Sequence, residues 1–505
     1  MKKTHAYLFI FLLPLTTWRC TREDDTLGDS DIFAPVGGTI AINESAHASG
    51  SPEGMTETGQ NEDDLVENAT FSKTVTITFG ETVQIENAYA DAGVNVAVSG
   101  QDVEVHATTD EVEYVLTGTS TDGGFQIYSE KKFKLALTDL SLTNSDGPAI
   151  RNQSDTSAFV VLTGTNQLTD GPTYAATPDD ADQTGTIFSA GPLLFSGEGT
   201  LTVQGNHAHA IISDKYIRVR SGTITIASAV EDAIHCHDYF IADGGTFHIT
   251  SNGDGIEVEE GHIIINRGEF TLDVINHGIA ASYEGEDPDI DPYLIINGGT
   301  ISINNSEGEG IVSKRTLTIN DANITLTSID DCLRAADAIY VNGGLLHLVS
   351  TGRNAMLSTG TVTVTGGTVI ALGNEGGINC GDNELKITGG LVFGSGEATS
   401  APAETSSTVY ALIADGMEAG QIIHIEDANG KETFTFMNPS SFGTLLLASA
   451  KLKANTTYNL YVGGTVTGDT NVLHGLYTKG NYSRGTAIAQ FSTSNKVTQI
   501  GGQVI

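Results

Sequence analysis

Basic residues are scarce. Lysine and arginine total 24 against 63 acidic residues in 505, for a formal charge of −39. A nucleic-acid binder working through a broad basic surface is excluded, because neutralising phosphates takes Lys and Arg. A peripheral protein held on anionic lipid by a polybasic patch is disfavoured for the same reason. An anionic ligand remains open, since a bound divalent cation inverts the local charge. Cysteine is nearly absent: beyond Cys20 there are only Cys236, Cys332 and Cys380, an odd and sparse set that excludes a disulfide scaffold. The single tryptophan, Trp18, lies near the start. A flat Trp platform for crystalline glycan is therefore missing, although Tyr can stack in its place. After the first 20 residues no apolar run is long enough to span a bilayer. Glycine, by contrast, is abundant at 59 residues.

Residues 1–20 read as an export leader. Lys2 and Lys3 precede an apolar run from Ala6 to Leu13, which is too short for a transmembrane helix. Cys20 follows, ahead of Thr21-Arg-Glu-Asp-Asp25. A cysteine in this setting resembles the lipidation site of surface-exported lipoproteins of Bacteroidetes, with Arg19 and Thr17 as departures. The expectation is a lipid anchor on Cys20 at the outer membrane or cell surface, or else secretion, with no other membrane contact. Residues 21–70 hold twelve acids and one base and read as an acidic disordered tether carrying −11 of the charge.

From about residue 200 the chain repeats. Ala210-Ile211, Ala233-Ile234, Gly255-Ile256, Gly278-Ile279, Gly310-Ile311, Cys332-Leu333, Ala355-Met356 and Gly377-Ile378 each pair a small residue with a large aliphatic. The aliphatics stand 23, 22, 23, 32, 22, 23 and 22 residues apart, the long interval holding a loop insertion at 284–292. Gly-Gly-Thr-like turns recur at a fixed offset, among them Gly244-Gly245-Thr246, Gly298-Gly299-Thr300 and Gly366-Gly367-Thr368. Short alternating runs such as Thr223-Ile-Thr-Ile226 and Thr361-Val-Thr-Val364 flank them. Period-two alternation between glycine turns means strands. Two or three strands per 22–23 residues, with no helical stretch, predict one coil of a parallel β-helix. The expected fold is all-β: a single-stranded right-handed parallel β-helix over 71–400, its open end capped by 74–105, and a C-terminal β cap or small β domain over 401–505. Cys236 and Cys380, two residues after the aliphatic, are expected to point inward.

Coils stacked about 4.8 Å apart align equivalent residues. The position before the small residue reads His209, Asp232, Asp254, His277, Glu309, Asp331, Asn354 and Gly376, and the one before that includes Glu231 and Asp330. Glu231, Asp232 and Asp254 are expected to converge, as are Glu309, Asp330 and Asp331. Two carboxylates at that spacing repel by roughly 3.5 kcal/mol at an effective dielectric near 20. A bound cation relieves this, and clusters of oxygen donors suit Ca²⁺; a solvated acidic corner is the alternative. His209 and His277 are expected as polar corner fillers. Zinc is not expected, because it needs three or four converging His, Cys or carboxylate ligands and Cys236 points inward. A further row, including Asp214, Asp238, Glu260, Lys314, Asp337 and Asp382, reads as turn residues. A β-helix lyase would need a base beside a uronate carboxylate, for which Lys314, Arg334 and Arg353 are weak candidates from a pool that also includes Lys215, Arg218, Arg220, Arg267 and Arg315.

Several stretches carry a family resemblance: Tyr114-Val-Leu-Thr-Gly118, Leu137-Thr-Asp-Leu-Ser-Leu-Thr-Asn144 with Asp146-Gly-Pro-Ala-Ile150, Asn166-Gln-Leu-Thr-Asp-Gly171, Gly199-Thr-Leu-Thr-Val203, Gly253-Asp-Gly-Ile256, the Gly-Gly-Thr ladder, Ala419-Gly-Gln-Ile-Ile-His-Ile-Glu-Asp427 and Tyr458-Asn-Leu-Tyr-Val-Gly-Gly464. In this order, over roughly 75–470, the chain resembles the calcium-binding, carbohydrate-binding parallel β-helix proteins of cellulolytic clostridia and Bacteroidetes. That resemblance implies a polysaccharide-lyase-like fold without established catalysis, Ca²⁺ at the corner acids Asp232, Asp254, Glu309 and Asp331, and an acidic plant polysaccharide such as polygalacturonate as ligand. The expected function is calcium-dependent glycan binding outside the cell. The alternatives are a calcium-dependent pectate-lyase-like enzyme and a structural or adhesive repeat protein.

Overall fold

The structure is a computed structural model; it describes residues 39–42, 49–175, 184–283, 285, 287–414, 416–494 and 497–500. The leader and Cys20 lie outside the described residues, as do Glu284 and Glu286 of the loop insertion. Among the described residues there is no α-helix, only three single turns of 3₁₀-helix at Glu62–Asp64, Val66–Asn68 and Ala90–Ala92.

Three short strands per coil wind a parallel β-solenoid. In one coil these are His209–Ser213, Tyr216–Val219 and Thr223–Ser228; in the next, Ile234–Cys236, Tyr239–Ala242 and Thr246–Ser251. Each strand pairs in parallel with its counterpart one coil on. The first strands of successive coils build a 13-stranded sheet, the first face, whose outermost pair, Val94–Ser99 with Asp102–Ala107, is antiparallel and closes the N-terminal end. The second and third strands of each coil make the second and third faces.

The repeat seen in the sequence is the inward ladder. Ile211, Ile234, Ile256, Ile279, Ile311, Leu333, Met356 and Ile378 stand in register and are fully buried. Burying each such side chain contributes about 1.5–3 kcal/mol, and one residue per coil repeats that contribution along the axis. Cys236, Cys332 and Cys380 are buried free thiols, Cys236 standing in register with Ser213 and Val258. The second glycine of the Gly-Gly turns is required by the backbone. Gly344 has φ +82°, and a Cβ there would sit 2.1 Å from the carbonyl oxygen of Ala322; side chains other than hydrogen rarely tolerate that left-handed conformation.

The C-terminal part adds an antiparallel sheet. Ile422–Asp427, Glu432–Met437, Thr457–Val462, Leu476–Ser483 and Thr486–Ser492 belong to it. The strand Thr444–Ser449 pairs antiparallel with Leu391–Gly396 and so closes the last coil. An open strand edge invites pairing with another chain, and this pairing removes it. Phe393 and Ile370 of the third face pack among Phe434, Phe436 and Leu447.

Residues 49–70, expected within a disordered tether, are instead an ordered strap. It runs back along the second face, from Gly50, which bonds to Thr365, to Glu67, which pairs with Arg220. Asn266, Asn297, Asn320 and Asn342 stand at one corner of successive coils. Each donates through Nδ2 both to the Oδ1 of the preceding corner residue and to a strap carbonyl, those of Thr58, Glu57, Met55 and Glu53 in turn. Below this zipper Met55 packs on the outward Ile241, Ile264 and Ile295. At the strap's far end Arg218, only 4% exposed, bonds to the Gly59 carbonyl, Asp64 and Asp243. Acidic composition suggested a solvated arm. Pairing of its acids with Arg218, Arg220 and Lys386, together with the amide zipper, is the reason it is ordered. At the other end of the chain's path, Thr39–Ile42 joins the C-terminal sheet, antiparallel to Gly480–Ser483.

Candidate functional site: a histidine and carboxylate ladder on the first face

The three-residue strands of the first face present their middle residue outward. Register along the face runs Ile212, His235, Glu257, Ala280, Val312, Arg334, Leu357 and Asn379. Beside this row lies the row of corner residues read from the sequence. Where the two meet, at the coils of Asp232 and Asp254, charged side chains converge.

The corner residues first serve the backbone. Asp232 Oδ1 accepts from the Asp254 N–H at 2.8 Å, and Asp254 Oδ1 from the His277 N–H at 2.9 Å. Asp331 Oδ1 likewise accepts from the backbone and the side chain of Asn354. Each of these carboxylates satisfies a buried donor of the next coil, which explains why Asp recurs here: its short polar side chain reaches one coil on and no further.

Around Asp232 the remaining contacts are charged. Its Oδ2 lies 3.2 Å from His209 Nδ1 and 3.1 Å from His235 Nδ1, and His235 Nδ1 lies 3.2 Å from Glu257 Oε2. The two imidazoles lie 4.5 Å apart. Glu257 Oε1 accepts from Ser282 Oγ at 2.7 Å. Two groups of potential ligand atoms result, each drawn together within 4.8 Å: His209, Asp232 and His235, and Asp232, Asp254 and Glu257. Among the described residues no such group contains Glu309, Asp330 or Asp331. Glu309 is engaged by His277 Nε2 at 2.6 Å and by Arg334, and Asp330 Oδ1 accepts from the Asp331 N–H. Glu231 faces outward, its carboxylate 3.3 Å from His209 Nε2.

Burial opposes ionisation throughout this ladder, and partners decide the outcome. At Asp232 burial pushes the carboxyl up, but hydrogen bonds from His209 and His235 and the charge on His209 outweigh it and hold it far below the usual carboxylate range. His235 and His277, which burial would lower, are raised to about 10 by the carboxylates they touch. Glu309, against the same burial, is held at about 2 by His277 and Arg334. Asp254 and Asp331 go the other way, raised chiefly by desolvation. Carboxylates and imidazoles on successive coils thus sit in poorly solvated positions, with opposite charges paired.

The lyase-type bases occupy unrelated register positions. Arg334 is mid-strand on the first face and bound to Glu309, Arg353 precedes the strand Asn354–Ser358 and faces Glu375, and Lys314 follows the strand Ile311–Ser313. Arg218 and Arg220 are bound to the strap, and Arg315 to Asp291 and Asp337. Sequence reading missed His235 and Glu257. Each follows the repeating aliphatic by one residue, and that outward slot holds no constant residue type, so spacing alone carries no signal for it.

A second concave feature lies at the N-terminal end of the same face. A cleft of about 450 Å³ is lined by Asp102, Glu104, Gln126, Asn144, Asp146 and Arg151, among others. Planar polar side chains of these kinds are suited to hydroxyl and carboxylate recognition.

A three-sided parallel solenoid whose first face carries a cluster of charged side chains is the frame in which the similarities to known proteins fall. Residues 99–355 and 291–433 match the family of carbohydrate-binding domain-containing proteins, and the chain belongs to that family. Among solved structures, a polysaccharide lyase-like protein from C. thermocellum, solved as a gadolinium derivative, is similar at 23% identity and a TM-score of 0.41, over 53% of this chain and 96% of that one. A search of curated proteins finds no match.

Proposed function

We propose that the chain is an exported glycan-binding solenoid that takes an acidic plant polysaccharide, such as polygalacturonate, on its first face with Ca²⁺ between protein and sugar. The convergence of Asp232, Asp254 and Glu257 at one point of that face carries the reading, within a family defined by carbohydrate binding. A chain of charge −39 repels a polyuronate unless a cation intervenes. Three carboxylates fall short of the roughly six to eight oxygens that Ca²⁺ takes, leaving positions for the carboxylate and hydroxyls of a sugar. A leader ending at Cys20 would put this face outside the cell, on a lipid anchor if that cysteine is acylated.

The test is retention on a panel of immobilised polysaccharides with calcium or with EDTA, read in parallel for ultraviolet-absorbing unsaturated products. The expected result is calcium-dependent retention on polygalacturonate without cleavage. Retention indifferent to EDTA removes the calcium part, and unsaturated products convert the binder into a lyase.

A further inference from the structure

We infer that the Asp232 node is also a site for a borderline divalent cation of the zinc class, held by His209, Asp232 and His235. The inference concerns which ions the node admits, and it stands apart from the sugar reading.

Donor identity is the first ground. Calcium is a hard ion that takes oxygen ligands almost exclusively; imidazole nitrogen suits zinc, copper, nickel and their neighbours. An ion on the His209 side of Asp232 meets two imidazoles, His209 Nδ1 at 3.2 Å and His235 Nδ1 at 3.1 Å from the carboxylate.

Spacing is the second. Ligands about 2.0–2.1 Å from a tetrahedral ion stand roughly 3.3–3.4 Å from one another. Asp232 Oδ2 stands 3.2 Å from His209 Nδ1 and 3.1 Å from His235 Nδ1, so small outward adjustments make room for one small ion. Three protein donors of mixed nitrogen and oxygen type, with a water in the fourth position, make an open zinc shell, whereas they supply at most half of a calcium shell.

The third ground is independent of the donor atoms themselves. Metal-bound histidines characteristically turn their other nitrogen to a carboxylate, which orients the ring and raises its basicity. His209 does so here, its Nε2 facing Glu231 at 3.3 Å, while His235 Nε2 stands 3.8 Å from Glu259, beyond hydrogen-bond reach. These outer carboxylates are largely exposed and do nothing for the solenoid core. The neighbouring His277 lacks this arrangement, because its two nitrogens are taken by Asp254 and Glu309. Since the zinc-class and oxygen-only groups share Asp232, an ion in one competes with an ion in the other.

The experiment is calorimetric titration of the full chain with Zn²⁺ alone and with Ca²⁺ alone, no sugar present. The expected result is one zinc bound at least ~100-fold more tightly than calcium at this node, with His209→Gln and His235→Gln each weakening zinc about 10–100-fold or more while calcium affinity changes little. Zinc binding unaltered in both variants, or calcium bound as tightly as zinc, overturns the inference. Should a variant fold poorly, Co²⁺ bound to the unaltered chain decides: intense visible absorption marks a four-coordinate nitrogen and oxygen site, and the weak absorption of a six-coordinate oxygen site overturns it.

Discussion

The first and second faces of one solenoid each carry a row of polar side chains along successive coils, and they use it in opposite ways. On the second face the ladder of Asn266, Asn297, Asn320 and Asn342 is neutral, and its donors are taken up by neighbouring amides and by the strap. On the first face the ladder from His209 to Glu309 is charged, and after the backbone is served, oxygens and nitrogens are left facing one another. The difference teaches that a repeat guarantees only alignment. An amide offers donor and acceptor in equal measure, so a stack of amides closes on itself. Carboxylates offer acceptors alone, so a stack of them is completed by imidazolium or by a cation.

The sharpest way to break the covered face is at its buried ion pair. Arg218→Ala strands Asp64, itself 2% exposed, without its guanidinium, and we expect a loss of about 3–5 kcal/mol in the local stability of the strap. Native-state hydrogen exchange across residues 49–70 measures it; unchanged protection there would dissociate the strap from Arg218. Next comes the first face. Asp331→Ala removes the acceptor for both the backbone and the side chain of Asn354, at an expected cost of about 1–3 kcal/mol, read as earlier denaturant unfolding. Asn320→Asp in the zipper replaces the donor to Met55 O and Asn297 Oδ1 by an acceptor. The expected cost is about 1–2 kcal/mol, confined to exchange of the strap; an equal rise at the strap's two ends would mean that the zipper opens as one unit.

The smallest expected effect tests the charge assignment. His347, on the third face, stacks 3.8 Å from His474 of the C-terminal part, and its Nδ1 is buried with no hydrogen-bond partner among the described residues. Burial, with the neighbouring His474, lowers it to about 4, opposite to the rise at His235 and His277. A lowered histidine contributes stability above the unfolded value near 6.5, lost as pH falls through about 4. Acidifying from pH 7 to 4 should weaken this contact by on the order of 1 kcal/mol after allowance for solvent screening, and His347→Phe should flatten that slope. A steeper acid dependence in the variant would contradict the assignment.

How legible each region was in the sequence follows from the same contrast. The inward aliphatics repeat because every coil has the same interior, so Ile211 to Ile378 declared the coil length directly. The corner acids were legible too, since cross-coil capping restricts that slot to short polar side chains. Their grouping was not: Asp232 and Asp254 come together with Glu257, while Glu309 is diverted to His277 and Arg334. Outward slots such as that of His235 are free to vary, and a variable slot has no period to detect. The strap was illegible for another reason. Its partners lie far along the chain, as with Glu53 and Lys386 at a separation of 333 residues, and local composition reports only that the segment is acidic.

The strap also imposes an order of events. Residues 50–67 leave the ribosome and cross any export channel before a single coil exists, yet the groove they fill is built from coils ending near Thr388. Contacts this distant in sequence close late. A segment synthesised early therefore docks late, against a surface that is complete only when almost the whole solenoid has wound. Its closing registers that winding is finished, and until then its acids and the arginine row at Arg218 and Arg220 remain open to solvent and to whatever holds the nascent chain.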